Sequence, residues 1–148
     1  EVWKRSVEVF RDLAGHARGR EVMLCIEPLG PDETNFVHTA AQARRLVEDV
    51  DHPHFRMMLD VKAMSRDEPP IPEIIRESAD YLHHFHANDA NLQGPGFGET
   101  DFMPIAAALK EIGYDGYVSV EVFDFSPGPR KIAHKSIEYL REIFAKAH

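Results

Sequence analysis

Apolar residues return at helical spacing from the start of the chain. Trp3, Val7, Phe10, Ala14 and Ala17 fall on one face, and Gly19 follows as a stop. A continuous apolar run, "EVMLCIEPL", comes next and closes on an acid and a proline. Thr39 opens a second helix with Gln42 three residues on, the pairing of a capping box; Ala40, Ala43, Val47 and Val50 form its apolar face. "FRMMLDV" is another short apolar run that reaches an acid, and "IPEIIRESADYL" has helical spacing behind a cluster of prolines. "YLHHFHAND" reads as a strand. Asp101 caps a helix on which Ile105, Leu109 and Ile112 align and Gly113 terminates, "GYVSVEVF" is the last strand, and Ala133, Ile137, Leu140 and Phe144 mark the last helix.

The order is therefore one helix followed by four βα units. Strands that are apolar on both faces and alternate with helices predict an α/β fold, a parallel sheet flanked by helices. The 148 residues suit a single domain over 1–148 with a real core.

Composition narrows the function. A formal charge of -8 argues against a nucleic-acid backbone as partner, because phosphate binding needs a cationic surface. No apolar run has the length of a membrane span, so no membrane partner is expected. Cys25 stands alone and cannot form an internal disulfide, which points to a reducing, cytoplasmic setting. The chain opens on Glu1, already inside a helical pattern and without an initiator methionine, which suggests a piece of a longer chain or a processed product.

Each predicted strand ends in a candidate metal ligand: Glu27, Asp60, His86 and Glu121, spaced by 33, 26 and 35 residues, about one βα unit each. Parallel strands point the same way, so their C-terminal ends share one rim and these four side chains converge there. Singly, an acid at a strand end is a common helix cap and a lone histidine a common core residue; four in register favour a metal. Three carboxylates and one imidazole form a hard, oxygen-rich set suited to Mn²⁺ or Mg²⁺, with Co²⁺ or Zn²⁺ as alternatives. Around His86, His84 shares its strand face and is either a neighbour of the site or packed in the core. Asp89 and Asn91 either orient His86 and bind substrate or make the turn. "GPGFG" reads as a tight turn that lets backbone approach a ligand; no lysine follows it, which disfavours a phosphate loop.

With these residues assembled, the chain resembles the C-terminal half of the xylose isomerase-like TIM-barrel superfamily, (β/α)8 enzymes that include sugar phosphate isomerases and epimerases, ketose 3-epimerases, inosose dehydratase and endonuclease IV. "IEPLGPDETNF" is similar to the epimerase segment in which a metal-binding glutamate precedes a substrate-contacting one by six residues, here Glu27 and Glu33. "LDVKAM", "HFHAND…GPGFGETDF" and "VSVEVF" resemble the segments that supply the remaining metal ligands, here Asp60, His86 and Glu121. The resemblance implies that Glu27 and Glu121 are also the acid/base pair, one removing the proton beside a metal-bound carbonyl and the other returning a proton on the opposite face. Asn35 is either a substrate contact or a loop brace.

Two departures bear on the substrate. The epimerase pattern has a histidine where this chain has Ala63 and an arginine where it has Leu92; Lys62 and Asn91 are candidate replacements, or else loop residues. Endonuclease IV needs further histidines, one of them at the Ala63 position, and is disfavoured. The resemblance thus implies a divalent-metal-dependent sugar isomerase or epimerase acting on a small carbohydrate-like substrate. The alternatives are a non-catalytic metal- or sugar-binding half-barrel and an inosose-type dehydratase. A closed barrel needs eight strands and four are counted, so the expected architecture is a half-barrel. It would pair with a missing N-terminal half or assemble as a homodimer or higher homo-oligomer.

Overall fold

The computed structural model describes residues 1–66 and 69–147. In chain order the elements are α1 (Val2–Arg18), β1 (Leu24–Ile26), α2 (Ala40–Val50), β2 (Phe55–Asp60), α3 (Val61–Met64), α4 (Ile71–Glu77), β3 (Leu82–Ala87), α5 (Phe102–Glu111), β4 (Val118–Val120) and α6 (Pro129–Lys146). The strands form one sheet in the order β1-β2-β3-β4, and every pair is parallel. Consecutive strands are neighbours, as expected when each crossover packs a helix back on the sheet.

Local signals explain most boundaries. Thr39 accepts from the Gln42 amide while the Gln42 side chain reaches back, so the capping box at α2 is complete. Asp101 accepts from the Met103 amide at the start of α5, and Gly113 takes a φ of 67° just beyond its end. Elsewhere the structure corrects the sequence expectation. Gly19 does follow the last residue of α1, but it stays right-handed, and the left-handed residue comes at Glu21. The predicted helix through Leu82 stops at Glu77, and Leu82 itself opens β3. Helix α3 was not anticipated: it begins directly after β2, where Asp60 accepts from the Ala63 amide and starts a turn.

The core lies between the sheet and its helices. Phe55, Met57 and Leu59 of β2 and Phe85 and Ala87 of β3 pack there with Leu46 and Val50 of α2, Ile75 of α4, and Phe102, Ile105 and Leu109 of α5. By strand alternation the residues between them, among them Met58, His84 and His86, face the other way. At the sheet's ends, β1 and β4 each have one neighbour. Large apolar side chains stand exposed beside β4, namely Tyr117 before it and Ile137 on α6, and also on α1 at Val2, Val9 and Leu13. Among the described residues, no helix is long and apolar enough to cross a membrane.

Candidate metal centre

The four strands deliver their polar ends to one rim. Asp60 closes β2, His86 is next to last in β3, and Glu27 and Glu121 come one residue after β1 and β4. Asp60 pairs with His86 in the β2–β3 ladder, and the Glu121 amide donates to the Ala87 carbonyl, which keeps the fourth ligand in register. One donor atom from each of Glu27, Asp60, His86 and Glu121 lies within 4.8 Å of the others. Sequence spacing had placed these four together, and the structure does so.

His86 occupies the middle. Its Nδ1 is 3.1 Å from Glu121 Oε2, 3.5 Å from Glu27 Oε1 and 3.7 Å from Asp60 Oδ2, yet it is buried and makes no hydrogen bond of acceptable geometry. Burial pushes the carboxyl of Asp60 above its usual range, and it does the same to Glu121. The Glu27 carboxylate beside the ring, outweighing burial and joined by the charges of Glu121 and Asp60, pushes the imidazole of His86 up. Beside the orphaned ring nitrogen, burial therefore makes Asp60 and Glu121 hold their protons tightly. A divalent cation fits this donor set in charge and in ligand chemistry.

Asp60 is tied at both oxygens. Its Oδ1 accepts from the Ala63 amide at 2.8 Å, and its Oδ2 accepts from Asn88 Nδ2 at 2.6 Å. Asn88 is fully buried, and its Oδ1 accepts from the Lys62 amide at 2.7 Å. Sequence reasoning passed over Asn88. The available signal was its position two residues after His86, which puts it on the same strand face.

The expected substrate-contacting residues divide. Glu33 and Lys62 come together: Lys62 Nζ donates to Glu33 Oε1 at 2.9 Å, and the Gly30 amide donates to the other oxygen at 3.3 Å. The lysine's hydrogen bond holds the Glu33 carboxyl below its ordinary range. The same ammonium lies 4.4 Å from the centroid of the Phe123 ring, so it bridges the loops after β1 and β4. Asn35 is exposed in the Glu33 loop. Asn91 serves its own loop, with Nδ2 donating to the Phe97 carbonyl and Oδ1 accepting from the Gln93 amide. Its amide is thus engaged in bracing a turn, the second of the two roles the sequence left open.

The loop after β3 is held from below and from the side. Asp89 is buried, accepts from the Thr100 amide, and lies so close to Gly98 that a Cβ there would sit 2.2 Å from Asp89 Cγ. Leu92, at a φ of 69°, turns its carbonyl to accept from both the Phe123 and Asp124 amides. His84 meets His86 edge to face at 5.1 Å between ring centroids, and burial pushes its imidazole down.

Comparison with known proteins bears on the fold as a whole. A family model described as xylose isomerase-like TIM barrel matches residues 1–143. A D-psicose 3-epimerase from Ruminiclostridium cellulolyticum is 37% identical over 121 residues, which is 82% of this chain and 41% of that protein. An L-ribulose 3-epimerase from Mesorhizobium japonicum is 30% identical, again over 82% of this chain and 41% of its own length. The crystal structure of a D-psicose 3-epimerase in the presence of D-fructose superimposes with a TM-score of 0.90 at 28% identity, covering 96% of this chain and 56% of that one. The chain spans about two-fifths of the length of these two curated relatives.

Proposed function

The chain belongs to the xylose isomerase-like TIM barrel family, and on that premise we propose that it carries the metal-binding half of a sugar epimerase or isomerase site. The observation that carries this reading is the meeting of Glu27, Asp60, His86 and Glu121 within 4.8 Å on one rim. These four residues would hold a divalent cation, Mn²⁺ or Mg²⁺ by preference, with Co²⁺ or Zn²⁺ as alternatives. Such an ion supplies polarisation of a substrate carbonyl and offsets charge that develops on its oxygen.

The protein's own residues would then move the proton. Glu27 and Glu121 come from the two outer strands and flank His86, so they reach a bound ketose from opposite sides. One removes the proton on the carbon beside the carbonyl, and the other delivers a proton to the opposite face, inverting that centre. The raised carboxyl of Glu121 suits this exchange, since a group that holds its proton more tightly is the stronger base. Glu33, Asn35 and Lys62 would engage substrate hydroxyls; Asn91 would act through the shape of its loop.

The relatives' names support a small ketose as substrate class, and Lys62 would supply a cation to the site in the absence of an imidazole at Ala63 and a guanidinium at Leu92. By the resemblance of its four ligand segments, the chain would be a single domain equivalent to the C-terminal half of the barrel. Its two open edges would close against the other half or against a second copy. Those same edges, with the two-fifths coverage of the relatives, favour a second reading: a half-barrel that binds metal or sugar without turnover. Exchange of solvent protons into a panel of ketoses, with and without Mn²⁺, separates the two. Metal-dependent exchange supports the enzyme, and metal binding without exchange supports the binding module.

A further inference from the structure

We infer that Asn88 is a positioning residue for the metal centre, setting the carboxylate of Asp60 rather than touching the ion or substrate itself. The inference rests on the metal reading above.

The hydrogen-bond inventory of the asparagine leaves one arrangement. The backbone amide of Lys62 can only donate, so the side-chain atom of Asn88 that faces it at 2.7 Å must be the carbonyl oxygen. The NH₂ group is thereby forced toward Asp60 Oδ2, at 2.6 Å, where it can only donate. Asp60 is in turn pinned at its other oxygen by the amide of Ala63. A carboxylate held at both oxygens cannot rotate, and its remaining lone pairs keep one direction. That direction includes His86, whose Nδ1 is 3.7 Å from the same Oδ2.

The asparagine also joins two ligand strands. It extends the His86 face of β3 and reaches across to the end of β2, where Asp60 stands opposite His86 in the ladder. Asn88 thus fixes the spacing of two ligands that come from different strands, and it does so from a fully buried position. Groups that orient metal ligands in this way commonly change metal affinity by about 10- to 100-fold when removed.

The test is the Mn²⁺ affinity of the whole 148-residue chain, measured by titration calorimetry well below the melting temperature of every variant. Wild type is measured first, and a wild type without Mn²⁺ binding overturns the metal reading itself. With wild-type binding in hand, Asn88→Ala is expected to weaken it at least about tenfold. Val50→Ala, which loosens the core far from the rim, is expected to leave affinity within about twofold. In an Asp60→Ala background, Asn88→Ala is expected to change nothing further, because its effect passes through Asp60. A folded Asn88→Ala with wild-type affinity overturns the inference and leaves the metal reading standing. So does an equal further loss in the Asp60→Ala background. Should Asn88→Ala not fold, Asn88→Ser, which keeps an acceptor for the Lys62 amide, takes its place with the same expectations.

Discussion

Lys62 donates to Glu33 at 2.9 Å across a boundary between two environments: the lysine side chain is 9% exposed and the glutamate 36%. The two ends of this bond are therefore unequal. Removing Glu33 strands an ammonium in a dry site, whereas removing Lys62 returns a carboxylate to water. Glu33→Ala is expected to cost about 1–3 kcal/mol of stability. Lys62→Met, which keeps the aliphatic stem, is expected to cost less than about 1 kcal/mol. Urea denaturation checks the order, and a larger loss for Lys62→Met contradicts it.

The crowded rim predicts an unusual dependence on pH. Asp60, Glu121 and His86 all hold protons more tightly in the fold than in the unfolded chain. The native state then binds more protons, so stability falls as pH rises through their shifted range. His84, lowered by burial, acts in the opposite sense, so the measurement uses His84→Ala: in the presence of a chelator its melting temperature is expected to decline as pH rises from the ordinary carboxylate range through that of histidine. Below that window the trend reverses, because Glu33, Asp124 and Glu142 have lowered pKa values and lose their contribution on protonation. A melting temperature that is flat or rising between those limits contradicts the assignment.

Loading the site works against that decline. Mn²⁺ at about one hundred times its dissociation constant is expected to add about 2.7 kcal/mol to the stability of the folded chain. His86→Ala is expected to abolish the gain, because it removes the ring that lies within 3.7 Å of all three carboxylates. Thermal melts with and without the ion read both outcomes.

Gly98→Ala tests the floor of the loop after β3. The added methyl would sit 2.2 Å from Asp89 Cγ, and Asp89 is buried and has no room to retreat. The loss is expected at about 1–3 kcal/mol. Gly15→Ala, where nothing lies within 4 Å, is the control and is expected to be neutral or stabilising. Equal denaturation midpoints for the two variants exclude the clash.

The open edges predict association. Light scattering at micromolar concentration is expected to report a dimer or a larger species. Replacing Tyr117, 83% exposed beside β4, with lysine is expected to shift the population toward monomer. A wild type that is monodisperse as a monomer contradicts the paired-edge proposal.

The metal set was legible in the sequence because strand alternation and βα spacing are coarse signals that survive uncertainty in the boundaries. β1 and β4 are only three residues long, yet each still places its acid one residue beyond its end. Asn88 was harder to see. Its importance lies in a partner on another strand, and no local pattern announces a cross-strand bond. The four residues of α3 escaped for a related reason: the acid at their start read as a ligand, and its second role as a cap appears only when the backbone is traced. Asn91 could be either contact or brace until the position of the Phe97 carbonyl was known.

Asp60 spends one oxygen on the first turn of α3 and directs the other into the acidic cluster. A longer acid would preserve the charge while displacing one of those two contacts. The two contacts together thus admit a carboxylate of one length only, and the other ligands of the rim face a side chain that cannot turn away.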